Sequence, residues 1–169
     1  MIYCFDTYYF EDKANTACVG VEAWNDKHIA FEAKQILSDV ADYESGAFYK
    51  RELPCLLSLL KTMELNTATD IIVVDGYVVL SDEGKLGLGG YLFKALKGEV
   101  PVVGVAKNNF VDLMHQKRSV HRGNSQKPLL VTAMGIDIDK AAVFIHSMHG
   151  EFRMPTILKE VDRRSREVD

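Results

Sequence analysis

Apolar and polar residues alternate with a period of two over residues 1 to 10. This predicts a first strand with Ile2, Cys4, Asp6 and Tyr8 on one face and Tyr3, Phe5, Thr7 and Tyr9 on the other. Residues 16 to 24 (TACVGVEAW) and 28 to 36 (HIAFEAKQI) predict two more strands joined by a turn at Asn25-Asp26-Lys27, so the chain opens as a three-strand meander. The period then changes: Leu53, Leu56, Leu57, Leu60 and Met63 recur at helical spacing, and Pro54 fits the first helical turn. Ile71 to Val74 is short, wholly apolar and β-branched, the mark of a central strand covered on both faces, and it ends on Asp75-Gly76. Residues 86 to 96 (LGLGGYLFKAL) predict a small-residue-rich helix packed closely on the sheet, and 100 to 106 a further apolar strand. A strand, helix, strand order requires a right-handed parallel crossover here. Another strand is predicted within 128 to 138, a helix over 139 to 149, and a last helix over 154 to 168 with an apolar stripe of Ile157, Leu158 and Val161.

Four acids interrupt this pattern. Asp6 lies in the middle of an apolar, aromatic strand, where an unpaired carboxylate needs a cation or strong hydrogen bonds. Asp75 closes a buried strand, which suits presentation of an acid to a ligand and equally suits the start of a turn. Glu52 stands at a helix entrance, the place of an ordinary dipole-complementing acid. Asp162 lies one turn after Leu158, at the edge of a buried face. Each has a structural role open to it, and only their arrangement in space separates that role from a shared site.

Composition adds bounds. The chain has 169 residues, 47% hydrophobic and 26% charged, as expected of one globular domain spanning 1–169. Its apolar stretches are too short to span a membrane, and the N-terminal MIYCFDTYYF carries an acid where a secretory signal needs basic residues, so a cytoplasmic location is expected. Cys4, Cys18 and Cys55 lack CxxC spacing and read as reduced core residues. The net charge of −4 does not advertise a nucleic-acid binder, but phosphate contacts are local. Between His115 and Lys127 the chain reads HQKRSVHRGNSQK, with Lys117, Arg118, Arg122 and Lys127 and no acid. That run is either a solvated face or a mobile strand-binding loop.

Three antiparallel strands, then helix, strand, helix, strand and a terminal helix bearing an acid is the element order of a ribonuclease H-like fold, an α/β mixed sheet flanked by helices. Asp6 in the first strand, YKRELP at 49–54, IIVVDG at 71–76, VPVVGVAK at 100–107 and FRMPTILKEVDRRSRE at 152–167 together resemble the endonuclease V family, nucleases that act at deaminated purines. The resemblance implies that Asp6, Glu52 and Asp75 hold a metal ion, Mg²⁺ or alternatively Mn²⁺, and that Asp162 joins them. It implies that Lys107 lies near the scissile phosphate, and that Tyr43 and Gly46 belong to a wedge loop that parts the strands and frames a flipped base. Lys107, Lys117, Arg118, Arg122 and Lys127 are then the expected strand contacts. The implied activity is hydrolysis of a phosphodiester 3′ to inosine or deoxyinosine in DNA or RNA, by a protein expected to be monomeric and not membrane-bound. A degenerate binding paralogue and a nuclease reading mismatch or branched structure are the alternatives. Two departures bear on them. Where the family has a His-Pro-Arg element after its VDG, this chain reads YVVLSDEGKLG, with Ser81 or Asp82 near the missing histidine; and the wedge reads Asp42-Tyr43-Glu44-Ser45-Gly46, without proline.

Overall fold

The computed structural model describes residues 1–168. In chain order its elements are β1 (Ile2–Phe10), β2 (Lys13–Val21), β3 (Phe31–Leu37), α1 (Tyr49–Leu60), β4 (Ile71–Asp75), α2 (Leu88–Ala95), β5 (Val102–Ala106), β6 (Arg118–Val120), β7 (Leu129–Met134), α3 (Ile138–Ser147) and α4 (Thr156–Ser165). The strands form one sheet in the order β3-β2-β1-β4-β5-β7-β6. The meander is antiparallel, β1, β4 and β5 run parallel, and β7 and β6 return antiparallel. This is the predicted α/β mixed sheet of ribonuclease H-like type, with the antiparallel pair β7-β6 added beyond β5.

Side-chain alternation along the central strands splits the interior into two cores. Cys4, Val73 and Val103 pack with Ala141 and Ile145 of α3 and Ile157 and Val161 of α4. Tyr3, Phe5, Ile72 and Val74 pack with Leu56 and Leu59 of α1 and Leu92 of α2. Because the period is two, Asp6 follows Cys4, and Asp75 follows Val73, onto the α3/α4 face.

Three local expectations are corrected. β2 begins at Lys13 because β1 runs on to Phe10 and reverses through Glu11-Asp12, with Glu11 at φ 54°, bringing Lys13 opposite Phe10. Residues 28 to 30 accordingly fall outside β3. The inward stripe of α1 is Glu52, Cys55, Leu56, Leu59 and Leu60, rotated from the predicted one so that Glu52 is carried inside with the leucines. The basic segment after His115 is not simply a loop, since Arg118–Val120 pairs with β7 as an edge strand.

The chain leaving Asp75 has a narrow passage. Gly76 takes φ +114°, which favours glycine, and a methyl group on Gly104 of β5 would stand 2.5 Å from the Gly76 carbonyl oxygen and 2.7 Å from Thr132 Oγ1. That hydroxyl instead accepts the Val78 N–H at 2.8 Å. Glycine at 104 therefore lets the β4 exit cross close over β5, which fixes the direction in which Asp75 is presented. No helix among the described residues is long and apolar enough to cross a membrane.

Candidate active site

The carboxyl ends of the three parallel strands converge on one concavity. The β1–β4 register ends at Phe5 opposite Val74, so Asp6 and Asp75 are the next residues on neighbouring strands. Lys107 follows directly after β5. Helix α4 lies across the same face with Asp162 toward the strand ends, and Asp6, Asp75, Lys107 and Asp162 line the concavity above an apolar floor of Val74, Val105 and Leu158. This is where an open parallel sheet ordinarily binds ligands. Glu52 enters from the opposite layer on the first turn of α1; it is 4% exposed and feels the charges of Asp6 and Asp75.

The electrostatics are those of acids forced together. Burial, then the charge of Asp75, then a side-chain hydrogen bond and the charge of Asp162 push the Asp6 carboxyl up to about 7, although its Oδ1 accepts the Thr7 N–H at 2.9 Å. Glu52 is raised well above the usual carboxylate range, first by burial and then by Asp6 and Asp75, against the opposing guanidinium of Arg51. Asp75 opens to solvent at the mouth, yet crowding by protein raises it too; Lys107 opposes the rise and Asp162 adds to it. The other side of Asp162 is held by Arg166 Nε at 3.1 Å. Such a group cannot ionise fully without a cation.

The donor set fits a hard divalent ion, since every donor is a carboxylate oxygen. Among the described residues no three His, Cys, Asp or Glu side chains are grouped closely enough to hold a metal ion by themselves. Mg²⁺ in particular is held by one or two carboxylates plus waters and substrate phosphate oxygens. An electrostatic cluster open on one side suits that mode better than a closed cage does.

The acids also set a stability test. With divalent ions chelated, native Asp6 titrates near 7, whereas an unfolded aspartate titrates near 3.9. Between those values the native state binds more protons, so stability falls as pH rises through 7 and is retained below about 4. Asp6→Asn is therefore expected to melt above the parent chain at pH 8, by about 4 °C or more, and level with it at pH 4, as thermal unfolding in chelator would measure.

The remaining predicted residues divide. Gly46, at φ +78°, lines a hollow of about 230 Å³ with Phe48, Tyr49, Tyr77, Leu88 and Phe110, beside Gly76 and hence beside Asp75. Tyr43 is 63% exposed on the loop before it. Lys107, Lys117 and Lys127 face a second concavity. Arg118 Nε donates to Asp139 at 2.7 Å and its Nη1 to the carbonyls of His115 and Lys117, so its guanidinium is already paired. Arg122 is not a strand contact: it is buried, and its two terminal nitrogens donate to the carbonyls of Met148, Gly150, Phe152 and Arg153 at 2.6 to 3.2 Å.

Other contacts were not legible in the sequence. Arg51 lies 3.7 Å over the Tyr9 ring, a cation–π pair that steadies the turn bearing Glu52. Arg153 donates to the backbone carbonyls of Lys107 and Pro128. Asp82, near the position where the resemblance implies histidine, accepts the N–H groups of Met114, His115 and Gln116 at 2.8 to 3.2 Å and ties the 110–117 loop to the β4 exit. The HRGN and FRMP letters do not announce that Arg122 and Arg153 will be spent on carbonyls.

Comparison with known proteins now bears on this arrangement. The Endonuclease V family model matches residues 1–141. No curated protein sequence matches the chain. Among solved structures it is similar to endonuclease V of Streptomyces avermitilis, at 23% identity over 98% of this chain and 79% of that one, with a TM-score of 0.74. It is similar to human ENDOV at 22% identity, 98% and 82% coverage and a TM-score of 0.76. The Ciona intestinalis endonuclease V, solved with a 24mer DNA containing an inosine followed by a ribo-adenosine, aligns at 17% identity, 98% and 84% coverage and a TM-score of 0.77. At these identities the structural matches speak for the fold, which extends past residue 141 through α4, while the family model speaks for descent: the chain belongs to the Endonuclease V family.

Proposed function

We propose that this protein is a divalent-metal-dependent endonuclease that hydrolyses a phosphodiester of DNA or RNA on the 3′ side of a deaminated purine. The observation that carries the reading is the meeting of Asp6, Asp75, Glu52 and Asp162 with Lys107 at the ends of the parallel strands, each of the first three acids raised by burial and by its neighbours. Asp6, Asp75 and Glu52 would hold Mg²⁺ or Mn²⁺. Such an ion, when bound, supplies charge neutralisation and polarisation at the phosphate and its attacking water. The Lys107 ammonium is available to a non-bridging phosphate oxygen across from Asp75. Asp162, partly open to solvent beside Asp6, is the base that takes a proton from the water as its oxygen attacks phosphorus and the P–O3′ bond breaks, the departing O3′ taking a proton from solvent water.

The hollow between Gly46 and Phe110 is apolar, walled by aromatic rings and adjacent to the acids, which suits a flipped purine; Tyr43 on the loop above it is the proposed wedge. Glu44 of that loop has Lys50 Nζ at 3.4 Å, so an acid beside the strand's path is partly offset. One observation favours the alternative of altered specificity: Asp82 near the expected histidine position is committed to three backbone amides. Incubation with matched oligonucleotides, DNA and RNA, with and without inosine, tests the reading. Cutting 3′ to inosine that requires Mg²⁺ or Mn²⁺ and stops in chelator is the expected result. Equal cutting of undamaged strands would favour altered specificity, and none of any strand a binding paralogue.

A further inference from the structure

Lys107 lines two cavities at once, the acid site and a separate trough of about 480 Å³ beyond it. The trough's cations are Lys107, Lys117 and Lys127, and no acid lines it. In a chain of net charge −4 that is a local excess: Lys107 is shared with the acids of the neighbouring site, but none of the three lysines forms a close ion pair among the described residues, whereas Arg118 beside them is paired with Asp139. Lys117 is also held in place. Its Nζ donates to the Asn109 side chain and, at 3.3 Å, to the Phe110 carbonyl, and an ammonium has a third N–H to offer. Pro128 contributes apolar surface at the trough's edge, and Ser119 a hydroxyl.

The order of the three cavities matters more than any one of them. Phe110 and Tyr77 wall the aromatic hollow, Asn108 and Asn109 wall the trough, and the Tyr77 hydroxyl donates to the Asn108 carbonyl, so one short loop after β5 separates the two. Lys107 at the root of that loop faces the acids. A strand with its base in the hollow and its next phosphate beside Lys107 is led over this loop into the trough.

Resting on the proposed cleavage 3′ to the flipped base, we infer that the Lys117–Lys127 trough is the seat of the strand beyond the scissile phosphate, binding the nucleotide and phosphates on its 3′ side. The trough's volume is of the order of one nucleotide, and its chemistry, cations without acids beside a small apolar surface, is that of a single-strand phosphate track.

Two single-stranded probes carrying one inosine test this, one extended only 3′ of it and the other extended equally far 5′. Binding is followed by fluorescence anisotropy with Mg²⁺ in an Asp75→Asn background that leaves strands uncut. Lys117→Gln/Lys127→Gln is expected to weaken the 3′-extended probe about tenfold and to lower its log–log salt slope by about 1.4, the value for two phosphates on a single strand. The 5′-extended probe, and a Lys61→Gln control at the far end of α1, are expected to be unchanged. Equal weakening of both probes, no weakening of either, or no binding of the 3′-extended probe by the parent overturns the trough. Cleavage by the chain with Asp75 intact separates the two claims. Lysine-dependent 3′ binding without inosine cutting keeps the trough and removes the nuclease reading, and inosine cutting with lysine-independent binding does the reverse.

Discussion

Asp75→Asn is expected to slow inosine-dependent cleavage about 10³-fold, or ~4 kcal/mol of transition-state stabilisation, while leaving the protein folded and no less stable than the parent. The expectation follows from position. Asp75 ends β4, its neighbour across the register is Asp6, and the glycine-lined exit past Gly104 holds it at the mouth of the acid concavity. Asparagine keeps the shape and removes the charge. It thereby removes a cation ligand and, at the same stroke, part of the repulsion that raises Asp6 and Glu52. A merely structural carboxylate would show the opposite pairing, a loss of stability with catalysis altered only in proportion. Asp6→Asn should behave in the same way, and the double variant should be little worse than either alone, since ligands of one centre act as a unit. Cleavage within about tenfold of the parent by either single variant, at saturating Mg²⁺, would remove the acids from the reaction.

Much of this site was readable from the chain because it is made of strand ends. An apolar run that stops on an acid gives the acid's location once the sheet order is known, and a period of two gives its face. Asp75 is legible in that way, whereas Asp6 lies within β1 and was joined to Asp75 only by the family resemblance, until the β1–β4 register set the two side by side. Glu52 was harder. Its helix carries leucines at 53, 56, 57, 59 and 60, enough to draw more than one stripe, and only the packing of Leu56 and Leu59 in a core with Ile72 and Val74 selects the rotation that turns Glu52 inward. The aromatic hollow was half visible. Gly46 was assigned to the wedge loop by the resemblance, but Phe110 reaches the hollow it lines only through the return of the chain after β5. The basic segment was least legible, because composition counts charges without saying what each is bonded to. Of its four lysines and arginines, two face an acid-free trough, one is paired with Asp139 and one is buried.

That buried residue sets the largest expected effect on stability. Arg122 is 5% exposed, and burial pulls its guanidinium below the usual arginine range, so its charge is tolerated only through its hydrogen bonds. Both terminal nitrogens are used, one on Phe152 and Arg153, the other on Met148 and Gly150, and together they close the 148–153 turn that feeds α4. Arg122→Ala strands four carbonyls and empties the space between them, at a cost of about 3–4 kcal/mol, or about 10 °C in Tm. Arg122→Lys keeps the charge, but a single ammonium cannot span four acceptors, and it should recover less than half of that loss. The consequence reaches the site through Arg153, which leaves this turn to hold the carbonyls of Lys107 and Pro128. Below its melting range the alanine variant should therefore cut slowly at saturating substrate, with Lys107 no longer anchored, while its salt slope for strand binding stays that of the parent. A phosphate contact would produce the reverse, an unchanged Tm with a salt slope lower by about 0.7, and that result would return Arg122 to the strand-binding surface.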